Sequence, residues 1–301
     1  MKKKKFVCIG HSTYDITLPM EEYPKENLKY RVPNKIECGG GPASNGAYLL
    51  AKWGMDTTLL TIVGDDHYGD LVFKDFENIN ANTEYIEKIK NHKTSSSYII
   101  ANTSNGTRTI LTSKNKPIRK LKQNILIDAD YLLIDGEHPE TALQVLLDNE
   151  KAVSVLDAGR LNKDTKMLGK MVTYLICSKD FAEEFSDIKI DYNDKNTLIE
   201  CYDKLKSYFN TNVIITLESH GSFTEIDGAY KQIPSVKVKA VDSTGAGDIF
   251  HGAFTYFIGN GYSLEDAIKY SSITSAISVT RVGSRFSIPN LREVLEYDEL
   301  I

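Results

Sequence analysis

A short polar stretch ahead of an apolar helical pattern has the residue types needed to handle a transferable phosphate. Gly245, Ala246 and Gly247 precede Asp248, and an apolar helical pattern follows and ends at Gly259. Glycines let the backbone approach a ligand, and the first amides of a helix have no partner within it. These amides and the positive helix end attract an anion. Asp248 is therefore a candidate base beside a phosphate, with helix capping as the alternative role.

A second glycine-rich stretch lies near residue 40 and combines backbone access with an amide side chain. Gly40 and Gly41 leave room for a ligand, and Asn45 offers both a donor and an acceptor to hydroxyl groups. A glycine turn that caps a helix from Ala43 to Trp53 is the structural alternative, and both roles are compatible. A dinucleotide fingerprint is excluded because Ser44 occupies the third glycine position, and the chain has no P-loop string.

Two motifs carry a resemblance to a known family. The string Asp-Ser-Thr-Gly-Ala-Gly-Asp, residues 242–248, resembles the C-terminal signature of the ribokinase-like carbohydrate kinases, also called the PfkB family. The string Gly-Gly-Gly-Pro-Ala-Ser-Asn-Gly, residues 39–46, followed by Lys52-Trp53-Gly54, resembles the family's other signature and precedes it in the expected order. Matching segments reach Pro289, so the resemblance covers nearly the whole chain. It implies ATP-dependent phosphorylation of a primary sugar hydroxyl, with Asp248 as the base.

The candidate sugar site combines residues implied by the resemblance with two arginines. Asp15 matches an aspartate of the family's opening motif, and a carboxylate accepts two hydrogen bonds from vicinal hydroxyls. Each arginine is a candidate partner for a phosphate or an anionic substrate, or else a solvated surface residue. The candidates are Asp15, Gly40, Gly41, Asn45, Glu137, Arg108 and Arg160.

The implied nucleotide site falls at strand ends and at the glycine-rich turn. Its candidate residues are Ser178, Thr216, Ser219, Gly221, Thr244, Gly245, Gly247 and Ser272. The resemblance implies ATP with Mg²⁺, and in some members K⁺ or another monovalent cation. The positions that match this cation site are Asp242, Thr244, Gly283 and Ser287, for which an ordinary helix end before a proline is the alternative.

The chain departs from the family pattern at two places. Glu218 replaces a glycine of the nucleotide-binding strand end, and Ser178 and Phe181 replace an Asn and a Glu that hold magnesium through water. Oxygen ligands suit magnesium, and an exposed acidic helix face is the alternative role for the acids nearby. These acids are Asp180, Glu183 and Glu184.

The elements that must position these residues alternate between strand and helix. Such alternation predicts a parallel sheet with helices on both faces, and the family fold it matches is the three-layer ribokinase-like α/β fold. Helical patterns separate the strands, as over Pro139 to Asn149 and Asn196 to Tyr208. The predicted strands are Phe6 to Ile9, Thr58 to Val63, Tyr131 to Ile134, Val153 to Leu156, Tyr174 to Cys177, Val213 to Leu217, Ser222 to Ile226, Tyr230 to Ile233 and Val236 to Ala240.

Two strand-like insertions interrupt this alternation. Residues 94–112 predict a β-hairpin turning at Asn105-Gly106. Residues 17–38 are short, polar and interrupted by prolines, including Pro33. By resemblance the two regions, about 14–38 and 94–112, form a small β lid over the sugar, through which family members form homodimers.

Composition limits the remaining function classes. The chain has 301 residues and 41% hydrophobic content, so a single domain over residues 1–301 is expected. Its formal net charge of -5 argues against a nucleic-acid-binding surface and favours a small-molecule substrate. Four scattered cysteines predict buried free thiols in the cytoplasm. The Lys-rich start from Met1 precedes an apolar run too short for export, and no run is long enough for a membrane span.

These observations predict a carbohydrate kinase. A nucleoside kinase of the same family is the alternative substrate class. A non-catalytic sugar-binding or regulatory relative is the alternative function, which the departures at Ser178, Phe181 and Glu218 motivate and the intact Asp248 with its glycines opposes.

Overall fold

The computed structural model describes residues 3–32, 34–115, 120–122 and 125–298. Met1 and Lys2 of the Lys-rich start, Pro33 of the lid region and residues 299–301 of the expected domain lie outside the described residues.

The strands form two separate sheets in the described part of the chain. They are β1 (Lys5–Ile9), β2 (Thr13–Met20), β3 (Ile36–Gly40), β4 (Asp56–Gly64), β5 (Ile86–Ile89), β6 (Ser96–Asn102), β7 (Thr107–Ser113), β8 (Tyr131–Ile134), β9 (Val153–Ala158), β10 (Tyr174–Ser178), β11 (Asn212–Thr216), β12 (Ser222–Ile226) and β13 (Ala229–Ile233).

The larger sheet has nine strands in the order β13-β12-β11-β10-β9-β8-β1-β4-β5. The strands from β11 to β5 in this order are parallel, whereas β12 and β13 are antiparallel. Side chains alternate between the two faces of a strand, so Phe6 and Cys8 of β1 enter one apolar core, and Val7 and Ile9 enter the other. The sheet is therefore covered on both faces, which explains the continuous apolar runs in its sequence.

The helices form the two outer layers. They are α1 (Pro42–Lys52), α2 (His67–Asn78), α3 (Pro139–Asp148), α4 (Lys163–Leu168), α5 (Lys179–Ser186), α6 (Lys195–Phe209), α7 (Ala246–Gly259), α8 (Leu264–Ser278) and α9 (Leu291–Asp298). Buried side chains of α1, α2, α7, α8 and α9 join one core, and those of α3 to α6 join the other. This three-layer arrangement confirms the predicted α/β fold class.

The smaller sheet comprises β3-β2-β6-β7 and corresponds to the predicted lid strands. The predicted hairpin is confirmed as β6 and β7, but its turn differs from a two-residue Asn-Gly turn. Residues 103–106 form the loop, in which the Gly106 amide donates to the Asn102 carbonyl. The side chain of Asn105 accepts from the Thr107 amide, and Gly106 supplies a positive φ of 73°.

One predicted strand is wrong. Residues 236–240 form no strand, although the two strands predicted before them are present as β12 and β13. The segment leaves the sheet at Pro234 and crosses toward the lid, where Ala240 packs beside Gly106. The next amide, of Val241, then donates to the Val279 carbonyl at the end of α8, so tertiary contacts replace a ladder here.

Candidate active site

The start of α7 lies close to the carboxyl end of β9, because Asp157 there is 3.2 Å from His251 in the second turn of the helix. Gly245 is its N-cap with φ 75°, and a Cβ there would lie 2.9 Å from the Ser284 Cβ, so this position requires glycine. The amide of Ile249 makes the first helical bond, to the Gly245 carbonyl at 2.9 Å. The amide of Ala246 donates to the Ser243 carbonyl at 3.3 Å. Gly247 is exposed, which leaves the first turn open to a ligand.

Asp248 in this first turn meets the second glycine-rich motif. The Asn45 side chain in α1 donates from Nδ2 to Asp248 Oδ2 at 2.8 Å, although the two residues are 203 positions apart. Burial and then the Asp157 charge raise the pKa of Asp248 to about 7, which the Asn45 hydrogen bond partly offsets. A carboxylate with this pKa can accept a proton near neutral pH.

Asp15 on β2 is the second acid of this cleft, and it is buried. It is 5% exposed, and its Oδ1 has no hydrogen-bond partner among the described residues, while Oδ2 lies 3.5 Å from the Ser284 hydroxyl. A Cβ at Gly40 would lie 2.0 Å from Asp15 Oδ2, so a larger residue here would displace the Asp15 carboxylate. Burial and then Asp248 raise the pKa of Asp15 to about 7, whereas Arg285 lowers it. An unpartnered acceptor in a cleft suits a ligand hydroxyl.

Arg285 is a residue that the sequence analysis missed. The residue is 3% exposed, and its guanidinium pairs with Asp75 at 2.7 Å and donates to the Ser44 hydroxyl at 2.6 Å. Its Nε also donates to Asn45 Oδ1 at 3.4 Å. Because arginine is only a donor, this contact assigns the amide oxygen of Asn45 to the arginine and the amide nitrogen to Asp248.

The arginine is enclosed by two rings, since its guanidinium carbon lies 5.0 Å from the centre of Tyr48 and 4.9 Å from that of Phe76. Cation–π contacts of this kind add to the hydrogen bonds that hold the side chain. No local signal marks Arg285, because it approaches Asn45 from 240 positions away.

Asp135, directly after β8, was also missed. Its carboxylate accepts the amides of His11 at 2.8 Å, Ala43 at 3.1 Å and Glu137 at 2.9 Å, so it ties three strand and helix ends together. Burial raises its pKa to about 6 despite these bonds. The sequence signal for Asp135 was an acidic residue directly after a predicted strand. From the same segment we selected Glu137, two residues further on.

The remaining sugar-site candidates differ in whether they contact residues of the cleft around Asp248. Glu137 is half-buried and pairs with Lys114 at 2.7 Å. Arg108 of the lid donates to the Ser243 hydroxyl at 2.6 Å and is close enough to Asp248 to lower its pKa. Arg160 is exposed, and its guanidinium forms no hydrogen bond or ion pair with any other described residue. The structure therefore places Arg108 at the cleft and does not join Arg160 to it.

The nucleotide-site candidates lie at the ends of β10 and β11, at the start of α7 and in α8. Ser178 and Thr216 are paired residues of β10 and β11, but the Ser178 hydroxyl caps α5 by accepting from the Phe181 amide at 3.1 Å. Ser219 is exposed in the turn after β11, and Gly221 ends that turn with φ 87°. Ser272 is buried in α8, next to α7.

The departures from the family pattern have a structural explanation only in part. Glu218 is exposed with φ 53°, a backbone state that favours the glycine it replaces. Glu183 is not on an exposed acidic face, because it is buried and accepts from Lys189 at 2.7 Å and from the Ile190 amide at 3.0 Å. Asp180 and Glu184 are exposed. No group of three or more metal-binding side chains is assembled within the described residues.

The four residues matched to a monovalent cation site lie together. Asp242 Oδ1 accepts the amide and hydroxyl of Thr244 at 2.9 and 2.6 Å, and Oδ2 accepts the Gly283 amide at 2.9 Å. The Ser287 amide donates to the Gly283 carbonyl at 2.9 Å. The Asp242 carboxylate therefore already shapes this loop, and its remaining lone pairs and the neighbouring oxygens suit a large monovalent ion.

Comparisons with known proteins extend these observations to the whole chain. The family model described as pfkB family carbohydrate kinase matches residues 3–291. The ribokinase of Staphylococcus aureus (strain COL) is 28% identical and is covered over 98% of its length by 96% of this chain. The ribokinase structure from Thermotoga maritima is 27% identical, with a TM-score of 0.80 and 99% of each chain covered.

The structure of Arabidopsis thaliana ribokinase complexed with ribose and ATP has the same fold, with a TM-score of 0.77 at 21% identity and 98% of each chain covered. Within the described residues, no helix is long and apolar enough to cross a membrane. The match over residues 3–291 and the two motifs meeting at Asp248 lead to one conclusion: the chain belongs to the pfkB family of carbohydrate kinases, transferases that phosphorylate sugar hydroxyls.

Proposed function

We propose that this enzyme transfers the γ-phosphoryl group of ATP to a primary hydroxyl of a small sugar, with Asp248 as the general base. The observation that carries the proposal is the 2.8 Å hydrogen bond from Asn45 to Asp248. It joins a residue suited to binding hydroxyls to a base at a helix N-terminus suited to binding phosphate. One cleft thereby brings together the acceptor, the base and the anion-binding amides.

Asp248 accepts the hydroxyl proton while that oxygen attacks the γ-phosphorus. Its pKa of about 7 leaves a substantial ionised fraction at neutral pH. The amides of Gly245 and Gly247 stabilise negative charge on the transferring group, whereas the Ala246 amide already donates to the Ser243 carbonyl. Because phosphoryl transfer has a loose transition state, position and electrostatic stabilisation contribute more than the strength of the base.

The sugar is held by groups that lie around this base. Asp15 Oδ1 accepts a hydroxyl, and Gly40 and Gly41 let the sugar approach the backbone. Asn45 contacts a hydroxyl near Asp248, and Arg108 closes the site from the lid. Glu137 contributes from the end of β8, and Arg160 remains an outlying candidate.

ATP lies along the ends of β10 and β11 in this proposal and reaches the start of α7. Ser178, Thr216, Ser219, Gly221, Thr244 and Ser272 contact the nucleotide. Mg²⁺ bound with the phosphates would offset their repulsion of the incoming hydroxyl. The described residues assemble no carboxylate cluster for it, which fits an ion that keeps several of its waters. Oxygens of Asp242, Thr244, Gly283 and Ser287 would hold a monovalent cation such as K⁺, which would stabilise the loop that carries the anion-binding amides.

We further propose that two copies of the chain associate through their lids. Strand β7 is the edge strand of the described lid sheet, and it is exposed along its length, with Leu111 58% and Ile110 44% exposed. An edge strand with apolar side chains favours pairing with another strand. Analytical ultracentrifugation of the wild type and of Leu111→Glu tests this, since a monomeric wild type contradicts the proposal. We assign the enzyme to the cytoplasm, where ATP is abundant and thiols stay reduced.

The decisive experiment is a screen for ADP formation with hexoses, pentoses, phosphorylated sugars and nucleosides. We expect a pentose or hexose to give the highest kcat/KM, and the best substrate then to require Mg²⁺ when EDTA is added. Asp248→Asn should lower kcat about 10²- to 10⁴-fold with substrate binding preserved. A nucleoside as best substrate identifies the alternative class, and no ADP with any compound favours a non-catalytic role.

A further inference from the structure

A buried histidine beneath the anion-binding turn has no role in the mechanism described so far. His251 lies one helical turn after Gly247 in α7 and is 6% exposed. Its Nδ1 lies 2.6 Å from the Gly247 carbonyl oxygen, and its Nε2 lies 3.3 Å from the Ile176 carbonyl oxygen on β10. A carboxylate oxygen of Asp157, at the end of β9, lies 3.2 Å from Nδ1.

The partners of this imidazole are three oxygen atoms, and two of them are carbonyl oxygens, which can only accept. In a neutral imidazole one ring nitrogen carries a lone pair, which would then face a carbonyl oxygen. The doubly protonated ring donates to both carbonyls, and the Asp157 carboxylate balances its charge. Burial by itself opposes this arrangement, because it lowers the pKa of His251 and, with Asp135, raises that of Asp157 to about 8. The hydrogen-bond geometry favours placing the shared protons on the ring.

We propose that His251 and Asp157 form a buried ion pair that positions the anion-binding turn of α7 and tunes the charge at Asp248. The inference rests on the proposed kinase function of that turn. Because Nδ1 binds the Gly247 carbonyl, the pair fixes the peptide planes of the first turn against two strands of the sheet. His251 touches no reacting atom, so it is a positioning residue.

The pair also acts on the base electrostatically. Asp157 raises the pKa of Asp248, whereas His251 lowers it. The other groups that face Asp248 are Asn45 and Arg108, and Asp15 interacts with it across the cleft. Asp135 interacts with Asp157 from the end of β8. Removing one member of the pair therefore changes the net charge near the base in a direction that depends on which member is removed.

Kinetic variants separate positioning from charge. His251→Leu should lower kcat about 10-fold or more while the sugar KM changes less than twofold, and it should shift the acid limb of kcat/KM to higher pH. His251→Asn, whose amide can donate to Gly247, should recover most of the lost kcat and keep the shifted limb. Asp157→Asn should shift the limb to lower pH. The exposed His67→Leu is the matched control and should match the wild type.

A measurement that needs no activity tests the charge state. Imidazole ¹⁵N chemical shifts of the free wild-type protein, assigned by comparison with His251→Asn, should show both ring nitrogens of His251 protonated from pH 6 to 8. A neutral ring in this range overturns the ion pair. Wild-type kcat and pH dependence in His251→Leu overturns the positioning role. If no substrate of the screen is phosphorylated by the wild type, the proposed function fails, and the ¹⁵N result still decides the ion pair.

Discussion

At the scale of single residues, the buried carboxylate of Asp15 lowers the stability of the fold when it is ionised and in that form can bind the sugar. The pKa of Asp15 is raised to about 7, so the folded state binds a proton more tightly than the unfolded state does. The stabilisation that comes from protonated Asp15 is fully present below its unfolded-state pKa of about 3.9. It is lost as the pH rises through the folded-state pKa of about 7. The ionised form is retained, in our interpretation, because Oδ1 accepts a sugar hydroxyl.

Asp15→Asn should therefore stabilise the fold and impair sugar binding. At pH 8 we expect a gain on the order of 1 kcal/mol in the free energy of unfolding, which disappears near pH 4. The sugar KM should rise more than the ATP KM. Denaturant unfolding and initial rates measure both effects, with Asp70→Asn on the exposed face of α2 as the control. Equal changes in the two KM values would assign Asp15 a structural role.

A second residue-scale prediction concerns the backbone at Glu218. Its φ of 53° costs a non-glycine residue about 1 kcal/mol, and its carboxylate lies in the proposed nucleotide loop. Glu218→Gly should raise stability by about 0.5–1 kcal/mol and lower the ATP KM severalfold. Asp227→Gly is a matched control, since Asp227 has φ 52° in the turn between β12 and β13. Asp227→Gly should change the stability and leave the ATP KM unchanged. If both variants have the same ATP KM, the charge of Glu218 does not affect ATP binding.

At the scale of elements, the loop after α8 orients α1 toward α7. Arg285 in this loop fixes the amide of Asn45, which in turn donates to Asp248. Lysine keeps the charge but cannot make three separate contacts in the fixed geometry of a guanidinium. The position of the base therefore depends on a planar side chain from a third segment.

Arg285→Lys should consequently lower kcat about 10-fold or more and destabilise the protein by about 1–3 kcal/mol. Steady-state kinetics and thermal unfolding test this. Arg281→Lys is the control from the same loop, because Arg281 pairs with Glu293 on a more exposed surface. If both variants have the same kcat, Arg285 does not orient the base.

At the scale of the whole molecule, the fold brings Asp15 of β2 and Asp248 of α7 into one cleft. Asp15 and Asp248 each have a pKa of about 7, with burial as the main cause, and the Asp248 charge raises the pKa of Asp15 further. Ionised carboxylates in such a cleft lower the stability of the ligand-free fold. Bound hydroxyls and the Arg108 and Arg285 side chains offset part of this destabilisation. The pH dependence of catalysis should report the interaction.

We expect kcat/KM to fall about tenfold per pH unit below pH 7, because Asp248 must be ionised to accept a proton. In Asp15→Asn the acid limb should move to lower pH, since a like charge is removed. The measurement is kcat/KM from pH 5 to 9 with the best sugar. A limb that does not move would show that the two carboxylates titrate independently.

The sequence by itself determined the α/β class, the lid hairpin and the family, because these depend on short-range patterns. Apolar runs, alternating elements and the glycine-rich turn at Gly245 all act within a few residues. The same local reasoning produced the wrong strand at 236–240, where contacts with the lid and with α8 compete with pairing. The roles of the proposed site residues remain predictions of that analysis.

The tertiary structure alone decided which side chains meet. The contacts from Asn45 to Asp248 and to Arg285 span 203 and 240 positions, and the contact between Asp157 and His251 joins a strand end to a helix. Their existence depends on how α1, α7, the loop after α8 and β9 pack together in the tertiary structure. Burial in that shared cleft then raises the carboxylate pKa values, and no local pattern in the sequence carries that information.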